Sequence, residues 1–402
     1  MSFLERLLDD VNVEWKLVSE IFHLKNGYTP STSKKEFWEN GSIPWFRMDD
    51  IRENGRILDS SLQKVSEIAV KGGKLFPANS IIISTSASIG EHALITVPFL
   101  ANQRFTNLSL KDNYSKVFDI KFIFYYCFLL AEWCKKNTTI SSFASVDMEG
   151  FRKFKIPLPY PEDPEKSIKI QSEIVQILDK FSAMTAELTA ELTAELSMRK
   201  KQYNYYRDQL FSFEEGTVGW KPLGELAENL DSKRKPITSG LRDAGDIPYY
   251  GASGIVDYVK NYIFDGDFLL VSEDGANLLA RNTPIAFSIS GKTWVNNHAH
   301  VLKFDTYAER KYVEYYLNSI DLTPYISGAA QPKLNKKNLE NISIPNPSID
   351  EKVRIVSILD KFDALTSSIT EGLPREIELR QQQYEYYRDL LFSFPKSETV
   401  VV

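Results

Sequence analysis

IVQILDKFSAMTAELTAELTAELSMRKKQYNYYRDQLFSF at 174–213 and IVSILDKFDALTSSITEGLPREIELRQQQYEYYRDLLFSF at 355–394 are two copies of one segment. They align without a gap at a constant offset of 181, and 23 of the 40 positions are identical. Outward from this pair, VEWKLVSEI (13–21) matches VGWKPLGEL (218–226) at an offset of 205, and IPLP (156–159) matches IPNP (344–347) at 188. The chain is therefore a tandem duplication. The difference 205 − 188 = 17 residues falls between the WK and IP motifs, and 188 − 181 = 7 falls just before each repeated segment. These offsets divide the chain into 1–159, a variable domain; 160–213, a repeated segment; 214–347, a second variable domain; 348–396, the second repeated segment; and 397–402, a tail.

The repeated segments have helical period. Ile355, Leu359, Phe362, Thr366 and Ile369 recur at spacings of three and four, the stripe of an amphipathic or coiled-coil helix. The first copy carries TAEL three times at 185–196, with Leu188, Leu192 and Leu196 four apart. A strict period of four drifts by about 40° per step on a helix of 3.6 residues per turn, so this stripe winds. The second copy has Gly372 and Pro374 instead, which predicts a kink or short break. The variable segments read as mixed β with some helix. IIISTS (81–86), HALITV (92–97), DFLLVS (267–272) and PIAFSIS (284–290) have strand character, and Ile120–Lys136 and Arg310–Ser319 have helical spacing. The expected fold class is α+β: two mixed α/β domains separated by two long repeated helices that form an antiparallel coiled coil, with pseudo-two-fold symmetry.

Composition sets limits on class. The chain has 402 residues, 43% of them hydrophobic and 25% charged, with 2 Cys and a net charge of −6. That is an ordinary globular balance with room for two or three cores. Cys127 and Cys134 lie in an apolar stretch without metal or disulfide spacing, which suits a reducing compartment. MSFLERLLDD has no signal-peptide pattern, and Phe122–Ala131 is too short to span a bilayer, so a cytoplasmic location is expected.

Catalytic signatures are missing: the sequence contains no G-x-G-x-x-G after a strand, no Walker A motif, no H-E-x-x-H and no Cys/His zinc pattern. His298 and His300, expected to point the same way on a strand, are a weak metal candidate, and no metal site is assigned. Glu273–Asp274 and Glu162–Asp163 read as turn residues on a solvated surface rather than as acid/base pairs or magnesium ligands. The tyrosines Tyr203, Tyr205 and Tyr206, with their copies Tyr384, Tyr386 and Tyr387, read as interface or core rather than base-stacking groups. Polar loops are more suggestive: TPSTSKK (29–35), NQRF (102–105), SKRK (232–235) and QPKLNKK (331–337) gather the side chains that contact base edges and phosphates, and they occur in both variable domains.

GYTPS…W.NGSIPWF (27–46), IIISTSASIG (81–90), DIPYYGASGIVDY (246–258), the IP.P turns, the TAEL repeats and the ILDKF…QYxYYRDxLFSF helices together resemble the DNA specificity subunit of type I restriction–modification enzymes, in its TAEL-repeat, type IC-like branch. The resemblance spans nearly the whole chain. It implies a non-catalytic subunit whose two target recognition domains each read one half of a bipartite, asymmetric double-stranded DNA target. It also implies docking of two modification subunits that methylate adenine, and of restriction subunits that cleave. S-adenosylmethionine, ATP and magnesium are then expected in those partners, not in this chain. A stand-alone methyltransferase or nuclease with divergent motifs and a coiled-coil scaffold are the competing readings. Methyl transfer without a partner would favour the enzyme, and sequence-specific footprinting would exclude the scaffold.

The resemblance carries DNA contact onto Lys34, Lys35, Arg47, Ser84, Thr85, Ser86, Asn102, Gln103 and Arg104 in the first domain. In the second it carries contact onto Lys233, Arg234, Lys235, Tyr250, Ser253, Asn297, His298, Gln331 and Lys333. Partner docking is expected at Phe181, Tyr205, Tyr206 and Arg207 and at their copies Phe362, Tyr386, Tyr387 and Arg388. Residues 1–150 hold 17 Lys plus Arg against 18 Asp plus Glu, a net of −1, and 214–345 hold 14 against 17, a net of −3. With a net negative charge on both domains, tight DNA binding is expected only once partners add their field.

Overall fold

In a computed structural model, residues 11–139, 144–328, 331–368 and 371–395 are described. Ile369 of the predicted apolar stripe, the MSFLERLLDD segment and the 397–402 tail lie outside them. The chain divides into two compact units, one of residues 1–189 with 379–402 and the other of 190–378.

In the first unit, five strands are ordered Phe22–Asn26, Phe105–Leu110, Ser80–Ser84, His92–Ile95, Ile57–Leu58, and all pairs are antiparallel except the last. Ile81, Ile82 and Ile83 are fully buried on both faces, which is why IIIS reads as an unbroken apolar run. A smaller sheet centres on Ile43–Phe46. The helix Ile120–Lys136 covers the sheet, as its spacing predicts, and the Asp119 carboxylate caps it by accepting from the Lys121 amide at 2.7 Å. Cys127 and Cys134 are free thiols in its core face.

The second unit has a six-stranded sheet ordered Glu228–Asn229, Ala299–Lys303, Phe264–Ser272, Ala286–Val295, Ala244–Gly251, Gly254–Val259. Its helix, Tyr307–Ser319, begins three residues earlier than the apolar spacing indicates, because Thr306 caps it through the Glu309 amide.

The WK and IP motifs, which end each variable segment, pair with one another. Val13–Leu17 runs antiparallel to Lys155–Pro159 with Trp15 opposite Pro157, and Gly219–Pro222 runs antiparallel to Ser343–Asn346 with Trp220 opposite Pro345. Each domain is thus closed at its base where the chain enters and leaves.

One helix spans Pro164–Leu210; the second copy is divided into Ile349–Ser367 and Gly372–Leu391. The break comes where Gly372 and Pro374 predict it. Gly372 has φ +80°, and a Cβ there would strike the carbonyls of Ala364 and Leu365. The repeat is physical as well as textual, since Ile174, Val175 and Leu178 are buried in one copy and their counterparts Ile355, Val356 and Leu359 in the other. The first helix fully buries no residue beyond Leu178, and in the TAEL stretch Leu188, Leu192 and Leu196 are half-buried. No helix among the described residues is long and apolar enough to cross a membrane.

Candidate nucleic-acid interface and helix joints

Hydrogen bonding reveals an equivalence between the two variable domains that their sequences conceal. Trp45 and Phe46 pair in parallel with Leu100 and Ala101, as Tyr249 and Tyr250 do with Trp294 and Val295. The Asn102 amide donates to Phe46 O at 3.1 Å, and the Asn296 amide to Tyr250 O at 3.0 Å. The Thr85 amide donates to Arg104 O at 3.0 Å, and the Glu273 amide to His298 O at 2.9 Å. The Asn102–Arg104 turn of one domain is therefore the Asn296–His298 turn of the other. In both, Ser84–Ser86 or Ser272–Asp274 lies alongside.

The layer beneath these turns differs in chemistry. In the first domain the Thr85 and Thr106 hydroxyls lie 3.1 Å apart, and Thr106 donates to the Asn26 amide oxygen at 3.1 Å. The equivalent trio in the second domain is Glu273, His300 and Asp231. His300 Nδ1 meets an Asp231 oxygen at 2.6 Å, and Nε2 donates to Leu334 O at 2.7 Å. Arg234 reaches Glu273 at 2.6 Å and Ala299 O at 2.7 Å, with Asp231 3.4 Å away, and Lys333 reaches Glu273 at 3.0 Å. Burial works against ionisation of Asp231 and Glu273. Burial is the largest single influence at each, but at Asp231 His300, the Val301 amide and Arg234 together outweigh it, and at Glu273 Arg234, Lys333 and His300 together do, so both carboxyls sit below their ordinary range. Asp231, Glu273 and His300 are close enough to hold a cation. Both ring nitrogens and the facing carboxylates are already engaged, so the trio works as an ionic tie.

Most of the predicted contact residues are exposed or half-buried. Lys34, Lys35, Gln103 and Arg104 are exposed in the first domain, as are Lys233, Lys235, Ser253, Asn297, His298, Gln331 and Lys333 in the second. Arg47, Thr85, Ser86, Asn102 and Tyr250 are half-buried. Several of these side chains have partners inside their domain. Lys34 lies 5.0 Å above the Phe37 ring, Gln103 accepts from the Thr29 hydroxyl, and Asn102 accepts from the Arg104 amide. Ser84 is buried with its hydroxyl on Ser86 O, and Arg234 is taken up by the tie just described. The two histidines of NNHAH do not point the same way. His298 lies in the turn, 51% exposed and 2.9 Å from Asp274, whereas His300 is on the strand and fully buried. Glu273 belongs to the tie rather than to a solvated turn, while Asp163 accepts from the Lys166 amide at the start of the long helix.

Each helix copy is fastened to a domain by an aspartate that sequence reading passed over. Asp179 accepts from Tyr125 at 2.7 Å and Lys121 at 2.6 Å; its copy Asp360 accepts from Tyr315 at 2.6 Å and Tyr307 at 2.9 Å. Burial and the adjoining Asp360 push the Tyr307 hydroxyl up to about 12. The far ends of the helices dock as well. In the first unit Phe392 and Phe394 pack on Phe122, and in the second Phe211 packs on Tyr312 and Tyr316.

Within these joints Phe181 meets Tyr387 at 5.8 Å, and Tyr206 stacks on Phe362 at 5.7 Å. In both units the earlier part of one helix meets the later part of the other, the antiparallel order. Arg388 lies buried over Phe128, and its copy Arg207, half-buried, lies over Tyr203. Tyr205 and Tyr386 instead stand exposed, 61% and 64%, each edge-on to its neighbouring tyrosine at 5.4 Å. The duplicated signal was visible in sequence, but which members face inward was not.

Two unlike domains carrying equivalent turns on duplicated helices define a two-module recognition scaffold. The family model described as "Type I restriction modification DNA specificity domain" matches residues 11–198 and again 217–379, and the chain belongs to this family. It is 57% identical over 376 residues, 92% of each chain, to the Type I restriction enzyme EcoprrI specificity subunit of Escherichia coli. It is 36% identical, over 100% of this chain and 99% of the other, to the EcoR124I/EcoR124II specificity subunit of Escherichia coli. A chain from a structure described as "Structural basis underlying complex assembly and conformational transition of the type I R-M system" shares the fold, with a TM-score of 0.61, 14% identity and coverage of 94% and 97%. The chain is a specificity subunit of a type I restriction–modification system.

Proposed function

We propose that this chain reads a bipartite, asymmetric double-stranded DNA target, one half-site per domain, and docks two modification subunits for adenine methylation and restriction subunits for ATP-dependent cleavage. The observation that carries the reading is the equivalence of the Asn102–Arg104 and Asn296–His298 turns: one framework presents different side chains in each domain, as two different half-sites require. The chain itself contributes no catalytic group; S-adenosylmethionine, ATP and magnesium belong to the partners. The complex works in the cytoplasm, where its DNA is. Tyr205 and Tyr386, exposed at equivalent positions, suit two copies of one partner.

The TAEL stretch acts as the spacer ruler. Four helical residues add about 6 Å and about 400° of turn, a net 40°; one base pair adds about 3.4 Å and roughly 35°. The rotations match, and the lengths match for a helix oblique to the duplex. Half-sites of three and four base pairs centred one turn apart leave a spacer of roughly 6–7 base pairs. Deleting Thr189–Leu192 and sequencing the sites methylated by the reconstituted complex is expected to shorten the spacer by about one base pair. An unchanged spacer contradicts the ruler.

A further inference from the structure

A cavity of about 530 Å³ opens in the first domain, lined by Thr29, Lys35, Trp38, Trp45, Arg47 and Gln63 among others. It adjoins the Asn102–Arg104 turn, because its Thr29 donates to Gln103 and the Tyr28 amide donates to Ala101 O at 2.7 Å. Gly27 makes that approach feasible: a Cβ there would collide with the carbonyls of Ala101 and Asn102. Two indoles form its apolar wall, edge to face at 5.0 Å, each with its N–H spent on a backbone carbonyl, Trp38 on Ser31 and Trp45 on Tyr28.

Arg47 is held at the rim by several contacts. Its amide donates to Asp50 at 2.6 Å, and the other oxygen of that fully buried carboxylate accepts from the Leu62 amide at 2.6 Å, which pins the turn leaving the strand. The guanidinium lies 5.9 Å from the Trp45 ring and 3.4 Å from Asp49, and its Nε is buried without a hydrogen-bond partner. A buried donor left unpaired costs free energy, and with 36% of its side chain exposed the guanidinium remains open to an acceptor. In the second domain the equivalent position is Gly251, which follows Tyr250 as Arg47 follows Phe46; it carries no side chain of its own, and Val256 and Asn296 fill the space beside it.

We propose that Arg47 reads a guanine in the half-site of the first domain, with the indole-walled cavity receiving the edge of that base pair, and that the second domain reads its half-site without such a contact. This rests on the two-reader function proposed above. Guanine is the fitting ligand because its O6 and N7 are paired acceptors that match an arginine fork, whereas adenine presents a donor at the same place. The indole face and Asp49 hold the fork, and Asp50 the backbone that carries it, before binding, which lowers the ordering cost.

The test uses the complete complex with its modification subunits, programmed with a library of targets randomised in both half-sites. Arg47→Met is expected to lower the preference for one G·C pair in one half-site by about tenfold or more, leaving the other half-site and the spacer unchanged. Arg47→Lys, which keeps the stem and charge but not the fork, is expected to fall between. The intact second half-site reports that the variant has folded. If Arg47→Met prevents assembly, Arg47→Lys decides: relaxation at one position supports the proposal, and unchanged preferences overturn it. A uniform loss over all sequences also overturns it, because it marks a phosphate contact. A wild-type complex with no preference in either half-site would instead overturn the two-reader function itself.

Discussion

Beneath the Asn102–Arg104 turn, the first domain ties its converging segments with hydroxyl and amide groups; beneath Asn296–His298, the second uses two carboxylates, a histidine, an arginine and a lysine. The backbone hydrogen bonds that frame the turn are the same, and the chemistry of the tie beneath it has diverged. A neutral tie contributes modestly and fails gently, whereas an ionic tie in a dry site fails severely when one member is removed. The difference teaches that such domains diverge below the turn as well as on it, with the turn's hydrogen-bonded geometry retained.

The largest expected effect comes from breaking the ionic tie. Arg234→Met leaves Glu273 and Asp231 short of a cation in surroundings where their side chains are only 11% and 7% exposed. It is expected to cost the second domain about 3–5 kcal/mol, read by hydrogen exchange of its strands, with the first domain unaffected. A loss below about 1 kcal/mol would place the tie among weak surface pairs.

Acid separates the domains next. The Asp231 and Glu273 carboxyls are depressed in the folded state, so their stabilisation is complete above the ordinary carboxylate range near pH 4 and is lost as pH falls through their lower folded values. The second domain is therefore expected to lose this contribution on acidification, while Asn26, Thr85 and Thr106 titrate nothing. Unfolding followed in each domain between about pH 5 and pH 2 checks it, and equal acid sensitivity of Arg234→Met and wild type would contradict it.

The smallest effect is expected from the neutral tie. Thr106→Val removes one hydroxyl from the pair with Thr85 and Asn26, for about 1 kcal/mol in the first domain, measured by denaturant unfolding. A loss as large as that of Arg234→Met would erase the contrast.

The helices were legible from sequence because identity and apolar period agree over 40 positions, and the same residues prove buried in both copies. The closing strands were legible only as motifs; that WK pairs with IP is a contact across about 140 residues, beyond any local signal. Arg234 sits in SKRK, which looks like a solvated charge run, yet its partners Glu273 and Ala299 are 39 and 65 residues away. His298 and His300 have the spacing of strand neighbours, but the turn extends through His298 and separates them. Phe181 and Arg388 carried a duplicated signal that could not tell a joint within the chain from a partner surface. Asp179 and Asp360 were overlooked because an acid on an amphipathic helix ordinarily faces water; the tyrosines they bind lie on the domain helices.

The central claim is that two unlike domains on one duplicated frame read two separated half-sites. Its most direct test is long-read mapping of adenine methylation in cells carrying this chain with its modification subunits. The account predicts one asymmetric motif of two short specified blocks separated by an unspecified spacer of roughly 6–7 base pairs. A single continuous motif, or two identical half-sites, would contradict it.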